Sequence, residues 1–152
     1  MTSWVVADSG IFLASVLQER LTPKARAIIK FWAATNVTLV APALFQYEIV
    51  AVLRKNVYQG RISLDESIKG RDILLSQPIQ YMLDDDLLRR AFDLSTRFNR
   101  PTAYDAQYLA VAERLGCDFW TLDERLYNSV ANDITWVKWL DTFTGGNTVY
   151  AQ

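Results

Sequence analysis

The sequence predicts an α/β fold: a three-layer arrangement in which helices flank a mostly parallel sheet of four or five strands. Short apolar runs alternate with longer helix-periodic segments along the chain, as in a parallel sheet covered on both faces. Proline, glycine and capping residues punctuate the segments and bound each one separately. No internal repeat, low-complexity stretch or linker interrupts the pattern, and 152 residues suit one core.

The elements follow in order. Trp4 to Ala7 is an apolar run ending at Asp8 and reads as a buried strand. From Ser9, the apolar residues Ile11, Phe12, Val16 and Leu17 recur at helical spacing. Thr22-Pro23 opens a second helix, with threonine as N-cap and proline at the first helical position. Ala27, Ile28, Phe31 and Trp32 lie on that helix. Thr38 to Ala41 is a strand closed by Pro42, and a long helical pattern then runs from about Ala43 to Gln59, stopped by Gly60. Ser63-Leu64-Asp65-Glu66 is a capping box for the next helix. Ile79 to Leu83 is a third strand, and Asp84-Asp85-Asp86 caps a helix that reaches Phe98. Pro101-Thr102 opens the helix carrying Asp105. Asp118 to Thr121 is a fourth strand, Asp123 begins a short helix, and Thr135 to Val137 is a small edge strand. The domain is expected to span residues 1–141, with 142–152 as a loose tail.

Composition narrows the chemistry. A net charge of -1 and a pI of about 5.4 argue against a broadly basic nucleic-acid binder, though not against a local basic groove or metal-mediated contact with phosphates. The chain has no histidine, which removes His-based triads, the commonest general base and the usual zinc sites. Cys117 is the only cysteine, so no intrachain disulfide forms, and it reads as a small core residue. Catalysis would rest on carboxylates, hydroxyls, Lys and Arg, or a hard metal ion bound by oxygen. The N-terminus lacks the features of a signal peptide and no apolar run is long enough to span a bilayer. A cytoplasmic protein with no membrane partner is the expectation.

Four acids stand out, each with a structural alternative. Asp8 follows an apolar strand and precedes a helix, a place where aspartate also serves as N-cap or Asx-turn. Glu48 has Leu44, Phe45, Ala51 and Val52 as its helical neighbours, so it points toward the core side; its structural alternatives are a salt bridge with a buried Arg or Lys, or simple exposure at the edge of a wide apolar stripe. Asp105 would sit at the third helical position if Thr102 is the N-cap, which suits a capping box and the helix dipole. Asp123 follows Phe119-Trp120-Thr121-Leu122 and could be an N-cap, with Thr121 orienting it or holding a water. Acids at the ends of parallel elements lie where ligands of open α/β sheets gather. Two acids in one such crevice repel each other unless a cation sits between them.

These residues, with their neighbours, resemble the PIN-domain ribonucleases, in particular the VapC-type toxins of toxin–antitoxin pairs. The strand ending at Asp8, Tyr47-Glu48-Ile49, Tyr104-Asp105-Ala106 with Tyr108-Leu109-Ala110, and Thr121-Leu122-Asp123 with Arg125-Leu126 carry the resemblance, which runs roughly from Val5 to Val137. It implies a PIN-like sandwich and an endoribonuclease that hydrolyses RNA through a metal-activated water, leaving a 5′-phosphate. Asp8, Glu48, Asp105 and Asp123 would be catalytic and hold one or two Mg²⁺ or Mn²⁺ ions, for which an all-oxygen donor set is suited. Lys55, seven residues beyond Glu48 on the same helix face, is a candidate phosphate contact, as are Arg100 and Arg125, each with an ordinary surface charge as its alternative; Ser9 and Thr121 are the supporting residues. Gly10 departs from the family, which often has Ser or Asn there; either the adjacent Ser9 substitutes or the supporting hydrogen bond is absent. A cognate antitoxin would cover the site with a basic side chain, and exposed Trp32 or Trp136 could serve that contact or a homodimer.

Two rival readings remain open at this point. An aspartate-based phosphoryl-transfer or receiver domain also places acids at strand ends, but an Asp-x-Asp phosphatase would want an acid where Gly10 stands. A non-catalytic interaction module would use the same acids as caps or to bind a basic peptide.

Overall fold

The computed structural model describes residues 3–145. Its strands are β1 (Ser3–Ala7), β2 (Val37–Pro42), β3 (Ile79–Met82), β4 (Asp118–Thr121) and β5 (Val137–Trp139). Its helices are α1 (Ser9–Val16), α2 (Thr22–Ala34), α3 (Leu44–Tyr58), α4 (Leu64–Leu75), α5 (Asp85–Arg97), α6 (Tyr104–Leu115) and α7 (Glu124–Val130), followed by a 3₁₀ turn at Leu140–Thr142.

The strands form one sheet in the order β3-β2-β1-β4-β5, with every neighbouring pair parallel. β1 is central, and its Val5 and Val6 are fully buried because helices cover both faces. Val6 pairs with Val40 on one side and Phe119 on the other. From β1 the chain winds outward in one direction through β2 and β3, then returns to the opposite side with β4. Such a reversal opens a crevice at the carboxyl ends of the two strands it separates, here β1 and β4.

Aromatic packing fills the core. Phe12 lies 6.4 Å from Trp32 in a stacked arrangement and meets Phe45 edge-on at 5.3 Å. Trp32 is therefore a core residue and not the exposed contact the sequence allowed; it belongs to the apolar face of α2. Trp136 is partly buried against the same core.

Several local expectations shift. α2 takes Leu21 as its cap, because the buried Thr22 hydroxyl instead donates to Leu17 O at 2.7 Å and accepts from Glu19 N at 2.9 Å, tying down the turn after α1. β5 sits two residues later than the sequence placed it, with Val137 opposite Phe119. Phe143 is buried against Phe31 and Trp120, so the packed chain runs past the expected boundary at 141. Residues 146–152 of the expected tail lie outside the described residues.

α5 and α6 are clamped as a pair. Arg90 makes a two-pronged contact with Glu113, at 2.6 and 2.9 Å, on the solvent-facing side of the pair. Arg114 holds Asp84, which caps α5 through Leu87 N. α5 ends where Asn99 turns left-handed at φ 51°; Asn99 N then bonds Thr96 O and Arg100 N bonds Ser95 O. This Schellman-type stop reverses the chain and delivers Arg100 to the short loop before α6. Among the described residues, no helix is long and apolar enough to cross a membrane.

Candidate active site

All four singled-out acids line one cleft of about 430 Å³, together with Ser9, Gly10, Tyr108 and Leu122. Asp8 comes from the end of β1, Asp123 from just beyond β4, Asp105 from the first turn of α6 and Glu48 from the second turn of α3. The parallel topology explains the gathering: a helix that leads back to the start of a strand begins at the carboxyl edge of the sheet. A larger groove, of about 590 Å³, lies between α1, α2 and α4, but its floor of Phe12, Val16, Ile29 and Leu74 is apolar and it gathers no carboxylates beyond Glu66.

Asp8 is the most heavily tied. Its Oδ1 caps α1 by accepting from Ile11 N at 3.0 Å, while Oδ2 accepts from the Thr121 hydroxyl and from Leu122 N at 3.1 Å. The capping alternative is thus correct for Asp8 without removing it from the cleft. Thr121, fully buried, also accepts from Asp123 N at 3.0 Å and so links the first and last acids. Asp123 Oδ1 caps α7 through Arg125 N and Leu126 N.

Among the described residues Glu48 has no Arg or Lys partner, which sets aside the salt-bridge alternative there. Its Oε1 accepts from Tyr108 Oη at 2.6 Å and from Ser9 Oγ at 3.2 Å. Asp105 is the second residue of α6, whose cap Ala103 offers no side-chain bond, so the Thr102 capping box does not form. Asp105 Oδ2 instead pairs with Arg100 Nη2 at 3.2 Å.

Burial pushes the Asp8 carboxyl up to about 7, outweighing its three hydrogen bonds, and the nearby Glu48 charge adds to the rise. Burial also raises Glu48 against the pull of Tyr108 and Ser9, with Asp105 adding repulsion. Asp105 is raised by burial as well, with Arg100 opposing and Asp123 reinforcing the shift. The cleft therefore holds negative charge reluctantly. Cys117, by contrast, is a thiol pushed up to about 12 by burial and is chemically quiet.

The sequence did not single out Tyr108 as a site residue. It lies three residues beyond Asp105, hence on the same helix face, and stacks on Phe119 with ring centroids 5.6 Å apart. Glu19 also lines the cleft, from a loop with no helical or strand periodicity to reveal it. Gly10 is close-packed: a Cβ there would stand 3.2 Å from Asp8 Oδ1 and 3.3 Å from Leu122 Cβ, so a larger residue would push on the first acid. Lys55 and Arg125 are exposed, do not line the cleft and make no ion pair among the described residues. Tyr108→Phe removes the phenol that holds Glu48. It is expected to cost about 1 kcal/mol of stability and about tenfold in any activity that uses Glu48, checked by thermal melting beside turnover.

Glu48 Oε2, Asp105 Oδ1 and Asp123 Oδ2 accept no hydrogen bond among the described residues. Three free carboxylate oxygens beside a half-buried Asp8 form a donor set of the kind a hard divalent cation takes. As the side chains stand, no three acidic or thiol groups among the described residues are arranged to hold a metal ion. The chemistry of the donors fits; closing on an ion requires side-chain movement.

The comparisons with known proteins agree on the fold. The structure is similar to that of PAE2754 from Pyrobaculum aerophilum, with a TM-score of 0.67 and 20% identity over 93% of this chain and 94% of that one. It is also similar to Mycobacterium tuberculosis VapC20, described as a sarcin-ricin loop cleaving toxin, with a TM-score of 0.60 and 15% identity over 86% of this chain and 95% of the other. No curated protein matches by sequence. The sequence matches the PIN domain family over residues 5–131, a span that contains all four acids of the cleft. The chain belongs to the PIN domain family.

Proposed function

We propose that this protein is a divalent-metal-dependent endoribonuclease, the VapC-type toxin of a toxin–antitoxin pair acting in the cytoplasm. The observation that carries the reading is the meeting of Asp8, Glu48, Asp105 and Asp123 in one cleft where the strand order reverses. Membership of the PIN family supports nuclease chemistry, and the likeness to VapC20 supports RNA as the substrate class.

A bound Mg²⁺ or Mn²⁺ would supply Lewis-acid chemistry, drawing charge from a phosphate oxygen and making a water acidic enough to attack phosphorus. Asp8, Glu48, Asp105 and Asp123 would hold it through carboxylate oxygens. Tyr108 and Ser9 fix Glu48 so that its second oxygen is left for this purpose. Thr121 bridges Asp8 to the backbone of Asp123, which keeps the ends of β1 and β4 in one geometry. Asp8 holds a proton below about 7 and must shed it before it can serve a cation. Lys55 and Arg125, exposed and with no acid partner among the described residues, are placed to meet the phosphate backbone of RNA. A partner antitoxin would silence the enzyme by covering the cleft with a basic side chain, and a homodimer is the proposed assembly.

The test is cleavage of a mixed RNA pool by the purified protein at about pH 8, with Mn²⁺ or with chelator. Cleavage that needs Mn²⁺, and that weakens as pH falls through about 7, is the expected result. Undiminished cleavage in chelator, or intact RNA in both arms, would overturn the reading.

A further inference from the structure

Arg100 lies between α5 and α6 with its side chain only 17% exposed. Its backbone is fixed by the left-handed stop at Asn99. Its Nη2 pairs with Asp105 Oδ2 at 3.2 Å, its Nη1 reaches Ser129 Oγ of α7 at 3.4 Å, and its Nε is buried with no hydrogen-bond partner among the described residues. A guanidinium gives up hydration this way only where a strong electrostatic partner compensates, and here that partner is Asp105. Arg100 is the only Arg or Lys in an ion pair with any of the four cleft acids among the described residues. The sequence offered it as a phosphate contact, but in this structure its charge is directed at a carboxylate.

We propose that Arg100 is the resident counter-ion of the acid cleft: it neutralises Asp105 in the cation-free protein and thereby weakens the cleft's hold on divalent ions. This rests on the reading of the cleft as a cation site. A fixed positive charge beside one donor repels an incoming divalent ion and draws electron density from that donor. The same pair occupies one oxygen of Asp105, in keeping with the absence of any three acids arranged to hold a metal among the described residues. Arg100 is thus a positioning residue that sets affinity through Asp105, and the metal concentration at which the cleft fills depends on it.

The experiment compares Mn²⁺ binding by wild-type protein, Arg100→Gln, Arg100→Lys and the surface control Arg89→Gln, using isothermal titration and melting in chelator. Arg100→Gln is expected to bind Mn²⁺ about tenfold or more tightly and to melt lower without metal, because Asp105 loses its partner. Arg100→Lys keeps the charge and is expected to stay near wild type in affinity; Arg89→Gln is expected to change neither quantity. Unchanged or weaker Mn²⁺ binding by Arg100→Gln overturns the proposal by making Arg100 a brace for Asp105. If Arg100→Gln does not fold, nuclear magnetic resonance of the wild-type Arg100 guanidinium during Mg²⁺ titration decides. Loss of its protection supports displacement, and an unmoved signal with Mg²⁺ bound overturns it. A wild-type protein that neither binds Mn²⁺ nor cleaves RNA sinks the nuclease reading instead. Absence of binding by Arg100→Gln as well would sink both.

Discussion

Glu48→Gln is expected to lower divalent-dependent RNA cleavage by about a thousandfold or more, equivalent to about 4 kcal/mol of transition-state stabilisation. The fold should survive, because the glutamine carbonyl can still accept from Tyr108 and Ser9 while its amide replaces the free oxygen. Removing the charge also relieves repulsion with Asp8 and Asp105, so melting in chelator should stay level or rise. Asp105→Asn should lose cleavage to a similar degree with little net change in stability, since removing a carboxylate that burial disfavours offsets the loss of Arg100's charged partner. Asp8→Asn differs again: both carboxylate oxygens accept bonds, and an amide would turn one acceptor into a donor facing N–H groups. Full cleavage by folded Glu48→Gln would remove Glu48 from the chemistry.

The second large effect is on stability against pH. Asp8 sits at about 7 when folded and near the ordinary carboxylate value when unfolded, so the folded state favours its protonated form. Its contribution is complete below the unfolded value and is lost as pH rises through about 7. Glu48 and Asp105 are raised too and act with the same sign. Between about pH 5.5 and about pH 8, Asp8 alone should cost the metal-free protein about 2 kcal/mol. Asp84, Glu113 and Asp141 run the other way: Arg114, Arg90 and Lys24 hold them low, so their contribution fades only in stronger acid, at about 2 for Asp84. Urea unfolding in chelator across this range tests the sign. Equal or greater stability at the alkaline end would show that the cleft tolerates its charges. Added Mn²⁺ should recover the lost stability at about pH 8, because a ligand bound only by the folded state adds to its free energy.

Much of the architecture was readable because its signals are local. Apolar runs and punctuation marked the strands near β1, β2, β3 and β4, and caps at Ser63 and Asp84 fixed two helix starts. Glu48 announced itself by breaking an apolar face, and its half-buried place beside Tyr108 explains why. Less was legible where a residue's partner is distant in sequence. Nothing near Tyr108 reveals a bond to a residue 60 positions earlier. Arg100 resembles an ordinary loop cation until Asp105 and Ser129 fold against it. Thr22 mimics a cap because its Thr-Pro pair is a common helix opening, yet its hydroxyl serves the preceding turn. Phe143 looked like tail because its burial depends on Phe31 and Trp120, both far upstream.

The bond from Thr121 to Asp8 spans 113 positions and has a consequence for synthesis. A chain still emerging from the ribosome, with β4 not yet made, lacks Asp8's side-chain partner, the neighbour that flanks β1, and Asp123 itself. It carries three of the four acids, Asp8, Glu48 and Asp105, but cannot yet complete the cleft. The growing polypeptide should therefore be unable to cut the RNA that surrounds it until nearly the whole domain has been translated.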